Sequence, residues 1–109
     1  MVIQNGVTLM DKSNVLTLVS MIQKQDEVGN YIPEEVKRVV YCNVESVSRA
    51  EWYEAGRNGM NPQYKITVFA YDYENELVAE FEGVRYSIYR TYLKSNEDIE
   101  LYLEKKAGL

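Results

Sequence analysis

Apolar residues recur at every second position along most of the chain, the period expected of β-strands that turn one face to a core. The alternation is weakest at the start. Residues 1–14 hold scattered apolar residues among turn formers and read as a flexible N-terminal arm, with Val7–Met10 fitting a short strand. Val15–Gln25 fits two templates. Val15, Leu18, Val19 and Ile22 share a helical face, whereas Val15, Thr17, Val19 and Met21 share a strand face. The β-branched residues and the turn that follows favour the strand. Asp26-Glu27-Val28-Gly29-Asn30 is a hairpin-type connection in which Gly29 or Asn30 takes a positive φ. Pro33 is expected at a strand start, where a missing N–H does least harm. Val36, Val40, Cys42 and Val44 then alternate with Lys37, Asn43 and Glu45, with Arg38 interrupting the inner set.

Ser48-Arg49-Ala50-Glu51 is the one clear helix signal. It is a capping box, in which the Ser48 hydroxyl accepts from the Glu51 N–H and the Glu51 carboxylate reaches back to the Ser48 N–H. Val47 and Trp52 are spaced for a hydrophobic staple. The helix should end by Gly56 or Gly59, and at about 8–11 residues it must be held by packing, with Trp52 and Ala55 as its contact face.

After Pro62 the period of two returns. Tyr64, Ile66, Val68 and Ala70 form one strand face, and Tyr73-Glu74-Asn75-Glu76 forms a polar turn. Leu77, Ala79 and Phe81 form the next face, and Glu82-Gly83 is a two-residue connection favouring a primed turn. Val84, Tyr86, Ile88 and Tyr92 follow, with Arg90 the exception. Lys94-Ser95-Asn96-Glu97 turns the chain into a last strand with Ile99, Leu101 and Leu103 inward, before a short C-terminal tail at 105–109. The count is about six strands with one inserted helix and short connections, which argues a mainly β domain, a small antiparallel barrel or sandwich over residues 15–104.

Composition narrows the functions. With 109 residues, 46% hydrophobic and 27% charged, the chain is one ordinary globular domain. Ten tyrosines against two phenylalanines favour surfaces that are half buried or become buried on assembly. A net charge of −5 disfavours gripping nucleic acid, though not letting it slide past. One cysteine and no histidine exclude an internal disulfide, the usual zinc ligand sets and histidine-based catalysis. The first ten residues lack a signal-peptide pattern and no apolar run is long enough to cross a bilayer, so a reducing cytoplasm, or a particle assembled there, is the expected location.

The remaining candidates have bland readings beside sharp ones. Glu80 and Glu82 share a strand face and are the one conceivable acid/base pair, but Leu77, Ala79 and Phe81 claim the buried side. No acidic run has calcium-loop spacing, and Gly29, Gly56, Gly59 and Gly83 form no phosphate-binding string; no metal or cofactor is expected. Cys42 reads as a small buried apolar residue. Trp52 either anchors a partner or staples the helix, while Tyr53 favours a partner. Arg38 and Arg90 sit on apolar faces and each needs a carboxylate, within the fold or on a neighbouring subunit.

The order of these pieces resembles the head–tail joining (head-closure, or stopper) proteins of tailed bacteriophages. Five segments carry the likeness: Asn14-Val15-Leu16-Thr17-Leu18, Asp26-Glu27-Val28-Gly29-Asn30, Ser48-Arg49-Ala50-Glu51-Trp52-Tyr53, Tyr64-Lys65-Ile66-Thr67-Val68, and Phe81 through Tyr92. The likeness as a whole covers roughly residues 13–104. The resemblance implies a small antiparallel β-barrel with a helix-bearing insertion between the second and third strands, and no catalytic residues. It implies a homo-oligomer, monomeric in isolation and a dodecameric ring in the virion, docked beneath the portal and its adaptor. Such a ring receives the tail proteins and retains double-stranded DNA, which it passes without sequence recognition. By that analogy Tyr53–Gln63 is a loop facing a neighbour or the channel. Trp52, Tyr53, Arg57, Met60, Arg38, Arg90 and Tyr89 are then interface candidates, and Glu54, Arg57, Asn58 and Gly59 face the channel. Phe69, Tyr71, Tyr89 and Leu93 would lie on outer strand faces that ring neighbours cover. The competing readings are a tail-completion or tail-terminator protein on a related barrel, and an SH3-like peptide-binding module using Tyr71, Tyr73, Tyr89 and Trp52. An enzyme is the third and weakest class.

Overall fold

A computed structural model describes residues 12–105. The arm residues 1–11, including Val7–Met10, and tail residues 106–109 lie outside the described residues. Six strands, β1 (Asn14–Gln25), β2 (Tyr31–Glu45), β3 (Pro62–Phe69), β4 (Val78–Phe81), β5 (Val84–Leu93) and β6 (Asp98–Glu104), close an antiparallel barrel in the order β1-β2-β3-β6-β5-β4. Among the described residues one α-helix, α1 (Arg49–Arg57), lies between β2 and β3. The core takes two residues from every strand: Leu16 and Leu18, Val40 and Cys42, Ile66 and Val68, Ala79 and Phe81, Tyr86 and Ile88, Leu101 and Leu103. Burying each large apolar side chain contributes on the order of 1.5–3 kcal/mol. Tyr64 fills the Pro62 end, edge-on to Phe81 at 5.3 Å and to Tyr86 at 5.7 Å.

The strand reading of Val15–Gln25 is correct, but the core face is Leu16 and Leu18. Val15, at 51% exposed, and Met21 face outward. Val19 shares that outward parity and is nonetheless buried. It sits with Ser20 and Met21 beside Asn75–Val78. Pro33 lies two residues inside β2, opposite Gln23 in the outermost part of the hairpin. The third strand stops at Phe69, and Ala70–Asp72 forms a 3₁₀ turn instead of extending the strand face. Leu77 precedes β4 and is 71% exposed, so only Ala79 and Phe81 of that predicted face reach the core. The Glu82-Gly83 turn has positive φ at both positions, 51° and 78°, as a type I′ hairpin requires.

The largest departure lies in β5. Ile88 pairs with Leu103 but Arg90 pairs with Tyr102, which leaves Tyr89 as the extra residue of a β-bulge. The bulge inverts the alternation, so Arg90 and Tyr92 point outward. Arg90 therefore does not interrupt an apolar face.

β1 and β2 outrun the barrel. β1 pairs with β4 only over Thr17–Val19, and β2 pairs with β3 only over Cys42–Glu45. Beyond Val19, Ser20–Gln25 pair solely with Tyr31–Val36, giving a two-stranded ribbon on a molecule 60 Å in longest extent.

Two ion-pair clusters fix the ribbon's base. On the outer side Arg85 bonds both Glu35 and Glu80, and Lys37 reaches Glu80 at 3.3 Å. At the barrel mouth Arg38 donates to Glu76 through Nε at 3.2 Å and Nη2 at 2.6 Å, and to the Asp72 carbonyl.

Candidate functional site

The helix α1 is positioned by its own N-terminus and by the bulge in β5. Ser48 is extended at φ −69°, ψ 161°, and its hydroxyl accepts from the Glu51 N–H at 3.1 Å, the first half of a capping box. The second half is absent. The Glu51 carboxylate turns to the barrel, where Oε2 accepts the Tyr89 hydroxyl at 2.6 Å and the Arg90 Nε at 3.1 Å. Glu51 and Ala55, one helical turn apart, thus form the contact face, with Ala55 buried. Trp52 is 53% exposed and lies edge-on to Tyr53 at 5.4 Å, outside the buried core.

From this junction a polar ladder crosses the outside of the barrel. The Arg90 guanidinium lies 3.8 Å from the Tyr102 ring centroid, a cation–π contact. The Tyr102 hydroxyl donates to Glu100 at 2.8 Å, and Lys65 stands between Glu100 at 3.8 Å and Glu45 at 2.8 Å. The Arg90 hydrogen bonds hold the Glu51 carboxyl below its usual pKa, against the opposing effect of burial. Burial first, and the Glu51 carboxylate second, push the Tyr89 hydroxyl well above the usual tyrosine range. Glu51 is an acceptor with its oxygens occupied and Tyr89 a committed donor, which makes the pair a clamp.

A hollow of about 480 Å³ opens at the junction, lined by Glu51, Glu54, Ala55, Asn58, Met60, Tyr89 and Arg90. Three of the predicted interface or channel residues, Glu54, Asn58 and Met60, therefore share one concavity with Tyr89 and Arg90. Arg57 instead lies on the exposed face, paired with Glu54 at 2.9 Å. Glu54 and Arg57 belong to the helix and Asn58 is its C-cap, so the region predicted as a loop from Tyr53 is helical up to Arg57. Gly59, at φ 82°, carries the chain out of the cap, and the Met60 N–H returns to the Ala55 carbonyl at 2.9 Å. A second hollow, about 420 Å³, is lined by Val47, Ser48, Arg49, Trp52 and Tyr53.

Arg38 lies apart, at the barrel mouth. Both arginines that the sequence marks as needing carboxylates find them within the chain, Arg90 in Glu51 and Arg38 in Glu76. Glu76, in the polar turn that the sequence predicts, is buried and also accepts from the Glu74 N–H at 2.8 Å. Glu80 and Glu82 do not form a pair. Glu80 is taken by Arg85 and Lys37, and Glu82 sits in the turn.

The aromatic residues proposed as a peptide groove have separate surroundings. Tyr73 packs on the core and donates to the Glu76 carbonyl, Tyr71 stacks on Phe69 at 5.3 Å, and Tyr89 lies under the helix. Tyr89 is half-buried by its own chain, whereas Tyr71 and Leu93 are exposed. Phe69 is also covered by Lys12, whose ammonium lies 4.1 Å from its ring centroid and 2.8 Å from Asp98 Oδ1. The last residues of the predicted arm are thus held to the barrel. Cys42 is fully buried, and burial pushes its thiol up to about 11.

Compared with known proteins, the chain matches no family model and no curated sequence.

Proposed function

We propose that this chain is a structural subunit of a phage or prophage head–tail connector, forming a ring below the portal and adaptor that closes the DNA-filled head and receives the tail. The observation that carries the reading is topological. The helix-bearing connection lies between β2 and β3 of a closed six-stranded barrel, the place the resemblance assigns to it. The exterior supports the same reading. Val15, Val39 and Tyr41 form an exposed apolar patch on the outer face of β1 and β2, and exposed apolar patches of this kind mark contact sites. Its position in the virion makes the protein cytoplasmic only during assembly.

Capsids assembled without the protein test the reading. Electron microscopy should show heads that fill with DNA, leak it and carry no tails, and mass spectrometry should find the chain in intact virions. Virions that lack the chain, or normal tailed particles in its absence, refute the proposal. A tail-terminator role would instead give filled, closed heads beside tails of uncontrolled length.

A further inference from the structure

The outer ribbon carries a concentrated set of exposed apolar side chains. Met21, Ile22, Val28, Tyr31 and Ile32 are all exposed, with Val28 at the tip 80% exposed. A two-stranded ribbon cannot bury both its faces by itself. Yet this one is ordered. Asp26 Oδ1 accepts from the Val28 and Asn30 N–H groups at 3.0 and 2.8 Å, Gly29 takes φ 91°, and the Gln25 side chain donates to the Gly29 carbonyl. With its base held by Arg38–Glu76 and Arg85–Glu35, the ribbon is a preformed arm that loses little freedom on docking.

The same chain carries a surface of matching character. Trp52 and Tyr53, the latter 58% exposed, line the hollow with Val47 and Arg49. The ribbon from Ser20 to Val36 holds one lysine and four carboxylates; Lys24 pairs with Glu34 and Arg85 with Glu35, which leaves Asp26 and Glu27 at the tip without an ion pair among the described residues. Among the described residues Arg49 makes no ion pair, while Arg57 is already neutralised by Glu54. The chain thus carries both an acidic apolar tip and a basic aromatic hollow, and the whole of β2, Tyr31–Glu45, separates the two along the sequence.

We infer that the ribbon tip of one copy docks in the Val47–Arg49–Trp52–Tyr53 hollow of the next copy, with Val28 against the two aromatic rings and Glu27 facing Arg49. Different surfaces meet in this contact, so it is head-to-tail and closes into a ring when the rotation between copies allows. The inference rests on the ring reading above and names the surfaces that build the ring.

Crosslinking of the full chain tests it. Cys42 is buried and should stay silent, so the parent chain treated with a short bis-maleimide gives only monomer. A V28C/Y53C double variant should give a ladder of covalent multimers at high concentration, while V28C alone and Y53C alone give none. In parallel, E27K and R49E should each weaken self-association about tenfold by sedimentation, and the combined variant should restore it. Both substitutions are at exposed positions outside the core. An oligomer that forms without the ladder, or V28C dimers joined tip to tip, overturns this docking mode and leaves the connector reading standing. A V28C/Y53C chain that is incorporated into virions but gives no ladder when those virions are crosslinked also overturns the docking mode alone. Absence from virions removes the connector reading itself.

Discussion

The Tyr89 hydroxyl donates to Glu51 Oε2 at 2.6 Å, joining the β-bulge of β5 to the first turn of α1. The bulge makes the contact possible, because it turns Arg90 to the outer surface beside Tyr89 and under the helix. A nine-residue helix is too short to persist unaided, so its position depends on this clamp and on Ala55. E51A should cost about 2–3 kcal/mol and Y89F about 1 kcal/mol, read from chemical denaturation. The two are one unit, so Y89F should add almost nothing in the E51A background. Equal costs of Y89F in both backgrounds would show that the hydroxyl acts elsewhere.

How much of this was legible in the sequence depends on the range of the signal. The barrel strands were, because alternation is local, and so were the Glu82-Gly83 turn and the Ser48 cap. The bulge was not. Tyr89 looks like any strand residue, and only the register against β6 shows that Ile88 and Arg90 flank an insertion. Glu51 was half legible: its N–H follows the capping rule, but its carboxylate chooses Arg90, 39 positions away. Glu76 was missed, although Arg38 on an inward position signalled that a carboxylate had to come from somewhere. The ribbon was hidden for another reason. Met21, Ile22, Tyr31 and Ile32 have the pattern of core strand residues, and nothing local shows that β3 and β4 stop short of them.

The type I′ turn gives a prediction of opposite signs at adjacent residues. Glu82 at φ 51° pays the penalty of a non-glycine side chain in left-handed backbone, and Gly83 at φ 78° avoids it. E82N should therefore raise stability by roughly 0.5 kcal/mol, since Asn-Gly suits this turn, while G83A should lower it by about 1 kcal/mol. Nothing lies within 4 Å of a Cβ at Gly83, so the loss would come from backbone strain alone. Thermal melts of the two variants check both signs; stabilisation by G83A contradicts the turn assignment.

Acid should loosen the clamps at the barrel mouth and at the helix. Burial works to raise the Glu76 pKa, but hydrogen bonds from Arg38 and from the Glu74 and Glu76 backbone outweigh it, and the carboxyl lies below its ordinary 4.5. Glu51 is lowered as well, chiefly by Arg90. A carboxyl whose folded pKa is depressed gives its full stabilisation above the unfolded value and loses it as pH falls through the folded one. Stability should therefore be flat in these groups above about pH 5 and fall below 4.5, the ordinary value from which both are lowered. E76Q should cost about 2 kcal/mol at pH 7 and progressively less in acid, as urea midpoints across the range would show. A cost that stays constant down to pH 3 would rule out the ionised Glu76 as the source.

Hydrogen exchange should divide the long strands into two regimes. The backbones of Ser20–Gln25 and Tyr31–Val36 pair only with each other, so they can open without disturbing the core residues Leu16, Leu18, Val40 and Cys42. Ribbon amides should then exchange at a rate insensitive to low urea, while those of Ile66–Val68 and Leu101–Leu103 wait for global unfolding. The Arg38–Glu76 bond marks the boundary between the regimes. R38M should move it inward, adding Lys37–Val39 to the fast group and leaving β3 and β6 unchanged. Docking of the tip on a second copy predicts one further effect, slower exchange at Asp26–Ile32 as concentration rises, abolished by E27K. Protection there that does not change with concentration would mean that the ribbon's stiffness is entirely its own.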